Sequence, residues 1–213
     1  MKKQDYLTYA VTLYFDDKTS EQIRDLTKNL SDVTGNDYMI QNDVPPHLTL
    51  GMFHVGQADV DKLKRLFVEF VERAQAEVLC GKNFEISFGA FEDFVGKVIF
   101  VKIEKDKKLM EANRLLHDLF CPHFEAGDNR NYLPENWYPH ITLGFKLTGE
   151  QFEKGMEFLK GTSAQGIGGA PQALRSNGGI SRNPAKPGLP NGRCARIGLA
   201  CCNPYTPVYE LSI

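Results

Sequence analysis

Two short stretches of the chain carry residues that could do chemistry. Pro46-His47-Leu48-Thr49-Leu50-Gly51-Met52 and Pro139-His140-Ile141-Thr142-Leu143-Gly144-Phe145 agree at five of seven positions, and the other two exchange one apolar residue for another. With 5 His among 213 residues, composition alone predicts about 0.2 occurrences of His-x-Thr. It occurs twice, both times inside the same Pro…Leu-Gly frame. A lone His-x-Thr on a strand is ordinary surface decoration; its repetition in one frame is what points to function.

Side chains alternate faces along a strand. The motif therefore predicts His47, Thr49 and Gly51 on one face, with Leu48, Leu50 and Met52 on the core face. The second copy predicts His140, Thr142 and Gly144 together, with Ile141, Leu143 and Phe145 buried. Imidazole and hydroxyl then stand roughly 6–7 Å apart on a face not needed for packing, and the glycine leaves room for a ligand or another backbone. Two such strands related by a pseudo-two-fold would line one cleft with two His and two Thr. That set suits in-line phosphoryl chemistry: one imidazole removes a proton from the attacking oxygen and the other protonates the departing one. Histidine can do both near neutral pH. The threonine hydroxyls can bond the non-bridging oxygens, where charge builds. No metal and no cofactor is required.

The elements that must hold these strands can be read around them. Tyr6–Phe15 reads as a strand. Thr19 and Gln22 form a capping box for a helix over Ser20–Leu30. The prolines of Asp43-Val44-Pro45-Pro46 keep the approach to the strand His47–Val55 extended. Val60, Leu63, Phe67, Phe70, Val71, Ala74 and Val78 mark one face of a long helix, with Gly81 as its cap. Phe84–Phe91 and Lys97–Glu104 read as an antiparallel pair, and Leu109, Ala112, Leu116 and Leu119 as a helix face. The strand Pro139–Leu147 follows a polar, turn-rich stretch. A second capping box, Thr148 and Gln151, opens a helix that buries Phe152, Met156 and Leu159. Ile197–Cys202 and Val208–Ile213 are strand-like, joined by an Asn203-Pro204-Tyr205 turn. Helices and antiparallel strands without a βαβ rhythm predict an α+β fold.

Gly161–Arg196 differs from both flanks, with eight Gly, four Pro, five Lys/Arg and no acid. It reads as a flexible insertion or linker, or as a local shift of reading frame. The chain otherwise has average globular composition, 42% apolar and 24% charged. Its formal charge of −2 disfavours a protein that grips long or double-stranded nucleic acid without sequence preference. No window has the roughly 18 apolar residues of a membrane span. A cytoplasmic location is expected. The five cysteines, Cys80, Cys121, Cys194, Cys201 and Cys202, are odd in number and lack metal spacing, so all five are expected reduced.

His54 stands an odd number of residues from His47, which predicts the opposite face. His117 and His123 lack a ligand set and are expected at the surface. Trp137 and Tyr138, just before the second motif, suit either base stacking or pinning of the loop to the core. Tyr9 is a further ring that could face the cleft.

On its paired motifs, His47–Leu50 and His140–Leu143, the chain resembles the 2H phosphoesterase superfamily, and within it the 2′-5′ RNA ligase / cyclic phosphodiesterase group. The resemblance runs from Tyr6 to about Lys160 and includes the terminal Asn-Pro-Tyr region; Gly161–Arg196 departs from it, where the family shows compact strands. It implies one bilobal domain over residues 1–213, with two pseudo-symmetric antiparallel sheets flanked by helices around a central cleft. It implies His47 and His140 as the acid/base pair and Thr49 and Thr142 as phosphate-holding residues. The activity implied is hydrolysis or transfer at 2′,3′-cyclic phosphate or 2′-5′ phosphodiester bonds, on RNA ends or small nucleotides. A monomer is expected. The alternative is an RNA-end or nucleotide binding module without turnover.

Overall fold

The computed structural model describes residues 6–79, 84–163, 191–202 and 205–213. Cys80, Gly81, Asn203, Pro204 and residues 164–190 of the Gly/Pro-rich stretch lie outside them. β1 (Tyr6–Phe15) leads straight into α1 (Asp17–Thr34). Asp16 caps this helix, its carboxylate accepting from the Thr19 N–H at 2.8 Å. The cap thus precedes the predicted Thr19–Gln22 box, and the buried Thr19 hydroxyl instead accepts from the Arg193 N–H. A short α2 (Tyr38–Gln41) and the prolines bring the chain to β2 (His47–Gly56). α3 (Val60–Arg73) then closes in a wider π turn over Ala74–Val78.

The predicted strand Phe84–Phe91 is two strands, β3 (Phe84–Ile86) and β4 (Phe88–Phe94), which enter different sheets. Phe84, Ile86 and Phe88 keep one alternation through Ser87, so the period does not register the change of sheet. β5 (Val98–Ile103) pairs with β4. After α4 (Lys107–Phe120) and the two-residue β6 (Glu125–Ala126) come β7 (His140–Phe145) and α5 (Gly149–Ser163). The Thr148 capping box forms in both directions: Thr148 N–H donates to Gln151 Oε1, and Gln151 N–H to Thr148 Oγ1. β8 (Gly192–Cys202) and β9 (Thr206–Ser212) complete the described elements. The atypical stretch thus begins inside a helix and ends inside a strand, against its expected lack of both.

All pairings are antiparallel, in the orders β3-β8-β1-β2-β6, with β9 also on β8, and β4-β5-β7. This is the expected α+β arrangement of two sheets and flanking helices. The helices are exchanged between them. α1 follows β1 of the larger sheet yet packs on β7 and α5; α4 follows β5 of the smaller sheet yet packs on β2 and α3. One apolar cluster joins the two halves.

Both motif strands carry the same irregularity. Val11 pairs with Gly51 and Thr12 with Thr49, leaving Leu50 as an extra residue. Ile99 pairs with Gly144 and Phe100 with Thr142, leaving Leu143 extra. A bulge sends two successive residues to one side and reverses the alternation beyond it. Leu48, Leu50, Phe53 and Val55 are accordingly buried, while Met52 and His54 share the His47 face, against expectation. Phe145 leaves the core for the same reason, 36% exposed against the Tyr38 ring. The glycines do not open onto a ligand. A Cβ at Gly51 would stand 2.9 Å from Leu116 Cδ2 and 3.2 Å from His117 Cε1 of α4; at Gly144 the nearest atom, Leu30 Cδ2 of α1, is 3.3 Å away. Overpacking of this kind costs about 1–3 kcal/mol. Gly51→Ala should lose that much in urea denaturation and Gly144→Ala clearly less; equal losses would contradict the closer approach of α4.

Candidate active site

The site is assembled from the exposed side of the two bulged strands, which meet across the sheets. His47 Nδ1 lies 2.7 Å from the Pro45 carbonyl oxygen, and His140 Nδ1 lies 2.8 Å from that of Tyr138. A carbonyl only accepts, so both rings carry their proton on Nδ1 and turn a bare Nε2 away from the backbone. Each bond spans a proline, Pro46 or Pro139, whose fixed φ holds the carbonyl under the ring and which has no N–H to compete for it. The repeated proline therefore sets a tautomer. Burial lowers the pKa of both rings. His140 lowers that of His47 further, whereas the Asp128 carboxylate acts upward on His140.

The surroundings of the two histidines differ. Tyr14 is the cross-strand partner of His47, with ring centres 6.5 Å apart, and Tyr205 stacks on His47 at 5.3 Å and 28°. The Tyr14 and Tyr205 hydroxyls are hydrogen-bonded. Around His140 stand Phe94, edge-on at 5.0 Å, and Phe100 at 5.0 Å, with Lys102 as its cross-strand partner. Thr49 pairs with Thr12, while Thr142 pairs with Phe100.

The two motifs are tied together by buried polar groups. The Trp137 indole Nε1–H donates to the Thr49 carbonyl at 3.1 Å. Asn113 of α4, fully buried, donates from Nδ2 to the Leu50 carbonyl at 2.8 Å and to the Tyr132 carbonyl at 3.1 Å. Beside the bulge, β6 pairs only with Phe53 and His54 of β2; the Thr49 carbonyl finds its donor in the segment that enters the second motif and the Leu50 carbonyl finds its donor in α4.

Of the two readings for Trp137, pinning of the loop is the one seen: it is 1% exposed and faces the core. Tyr138 stays open, 37% exposed, its hydroxyl bonded to Glu92 and its ring edge-on to Phe94. Tyr9 belongs to the core cluster, not to the face of His47. His117 is buried at 5% exposure against Phe53, not at the surface, with Nδ1–H donating to the Asn113 carbonyl. His54 pairs with Thr8 Oγ1 and the Tyr6 ring. Tyr14, Thr12, Phe100 and Lys102 carry no signal of their own in the sequence and enter through the strand register, whereas Phe94 and Tyr205 enter through packing alone. The described cysteines, Cys121, Cys194, Cys201 and Cys202, are free. Among the described residues no three His, Cys, Asp or Glu side chains converge to hold a metal ion, and no helix is long and apolar enough to cross a membrane.

Over residues 15–165 the sequence matches the profile of the 2′-5′ RNA ligase superfamily. No curated protein matches the chain. Among solved structures it is similar to E. coli LigT complexed with 3′-AMP, at 13% identity over 98% of each chain and a TM-score of 0.55. A structure described as a phosphoesterase gives 12%, 98% of each chain and 0.53. LigT complexed with ATP gives 12%, 98% of each chain and 0.52.

Two outcomes follow for stability. Trp137→Phe keeps most of the ring but leaves the part-buried Thr49 carbonyl without its donor, a loss of about 1–3 kcal/mol; Tyr138→Phe, at the surface, should stay within about 0.5 kcal/mol. Chemical denaturation that fails to separate them would refute the tie. His47, His117 and His140 are all held below the ordinary histidine value by burial. Below about pH 6.5 the unfolded chain therefore binds more protons than the folded one. Their contribution is complete above that pH and is lost as pH falls through the lowered folded values. Melting temperatures between pH 8 and pH 5 should decline on the acid side.

Proposed function

The chain belongs to the 2′-5′ RNA ligase superfamily, and from that premise we propose that it acts on 2′,3′-cyclic phosphate or 2′-5′ phosphodiester bonds of RNA ends or small nucleotides. His47 and His140 are the acid/base pair of this reading. A phosphodiesterase or ligase-type activity is what the superfamily implies; the substrate bond and the residue roles are the proposal. The observation that carries it is the matched pair of Nδ1–carbonyl bonds, which leaves two imidazoles presenting Nε2 from facing strands.

With a cyclic phosphate bound between the strands, the neutral imidazole accepts a proton from the attacking water through Nε2. The other, protonated on Nε2, donates to the ribose oxygen that leaves. One P–O bond forms and one breaks, and the pair ends with its protonation states exchanged. In the ligase direction a ribose hydroxyl replaces water. Thr49 and Thr142 donate to the non-bridging oxygens, where charge grows in the transition state. No step needs a metal. Tyr138, open beside Phe94 and His140, is the ring for base stacking; Trp137 is not. A nucleotide-sized ligand is in keeping with the 3′-AMP and ATP bound in the LigT structures of the same fold. The described residues also suit the proposed reading of one bilobal domain.

The test is turnover of 2′,3′-cyclic nucleotides and of an RNA oligomer ending in a cyclic phosphate, in excess EDTA. Loss of one proton-transfer group typically costs 10²–10⁴-fold, so His47→Ala and His140→Ala should each lower kcat by about that factor. Full activity in either variant would overturn the assignment. Tight binding by wild type with no turnover would favour the binding-module reading.

A further inference from the structure

The two motifs match in sequence but not in neighbours. Opposite His47 and Thr49 the ladder places Tyr14 and Thr12; opposite His140 and Thr142 it places Lys102 and Phe100. Of the two motif histidines, only His47 lies flat against another ring among the described residues, that of Tyr205, which stands immediately before β9. His140 meets Phe94 edge-on instead. Tyr205 is itself anchored, its hydroxyl bonded to that of Tyr14 and within reach of Thr12. The guanidinium of Arg196 on β8 lies 5.7 Å over the Tyr14 ring and pairs with Glu210 of β9 at 3.2 Å, bracing the tyrosine that holds Tyr205.

We propose that Tyr205 is a positioning residue for His47: its ring, stacked on the imidazole and moored to Tyr14, fixes the direction of His47 Nε2 and shields the ring from water, a restraint His140 lacks. This rests on the reading of His47 as one of the acid/base pair. The Nδ1 bond to Pro45 fixes only one end of the ring and leaves rotation about that contact. A flat neighbour removes the rotation. The titratable and charged groups around His47 are Tyr14 and Arg196 from β1 and β8, Tyr205 and Glu210 from the β9 side, and His140 from β7. Burial raises the pKa of both tyrosines, so both are neutral hydroxyls near pH 7 and neither supplies a charge to the imidazole. Stacking and exclusion of water are what Tyr205 gives His47.

The experiment is an NMR titration of the imidazole Cε1–H signals in wild type, Tyr205→Leu and Tyr205→Phe, with kinetics on a 2′,3′-cyclic nucleotide alongside. Tyr205→Leu fills the space without a flat ring. The His47 midpoint should rise toward the ordinary histidine value of about 6.5, with His140 unmoved. The limb of the kcat/KM profile that reports His47, the acid limb for a base and the alkaline limb for an acid, should move to higher pH with it. Misplacing a reacting group by about 1 Å costs as much as 10²-fold, so kcat should fall roughly 10–100-fold with KM little changed. Tyr205→Phe keeps the ring and drops the mooring, and its shift should be smaller. Tyr14→Phe should reproduce that smaller shift, and the double Phe variant should add nothing. If the Leu variant does not fold, the two Phe variants decide. An unmoved His47 midpoint, or equal shifts at both histidines, would overturn the proposal. A wild type without turnover in which the His47 shift still appears would overturn the proposed function and leave this inference standing.

Discussion

In each motif strand one leucine has no partner in the ladder, and the positions of the other site residues follow from that extra residue. Leu50 and Leu143 turn inward together with the glycine that follows them. The histidine and threonine before the bulge keep to the opposite side, where no core packing claims them. Without the bulge the glycine would turn outward, and the helix that now lies against it would lose its close approach. The bulge thus separates two demands that a regular strand sets against each other. The same few residues pack a helix on one side and hold an imidazole and a hydroxyl on the other.

The exchange of helices makes this arrangement cooperative. Gly51 is covered by α4 and Gly144 by α1, so each motif is packed by a helix that follows a strand of the other sheet. Asn113 and Trp137 complete the join by donating to carbonyls on either side of the β2 bulge. Separating the halves would uncover apolar surface and strand buried hydrogen-bonding groups together, and each such group costs about 1–3 kcal/mol. The spacing of the two imidazoles is therefore set by packed elements rather than by loops.

Much of this was legible in the sequence because it rests on local rules. The duplicated motif, the limits of β1, the faces of α3 and α4, and the Thr148–Gln151 box are all as predicted. The failures share a cause. Period-two reading assumes no extra residue, so the bulge sent His54, Met52 and Phe145 to the wrong faces. It also assumes one polar face. β1 is buried on both sides beyond Thr8, so nothing in its letters distinguishes Tyr9 in the core from Tyr14 beside His47. Ser87 hides a change of sheet inside an unbroken alternation. Asp16 outcompetes Thr19 as a cap because it is the residue at which the strand ends. His117 is buried because the smallness of Gly51 lets α4 approach, a long-range effect that no short window contains.

The strand order has a consequence for how such a chain is made. β1 is the first described element to leave a ribosome, yet one of its two neighbours, β8, comes from residues 192–202. β2, next in the sheet, awaits α4 for its cover and Trp137 for its carbonyl, while the ring that lies on His47 is residue 205. Contacts this distant in sequence close late and slowly. An unfinished chain can hold the first motif's residues but not its geometry. The earlier of the two motif histidines is among the last to be enclosed, and a chain truncated near residue 202 would retain both motifs while lacking the surface that distinguishes them.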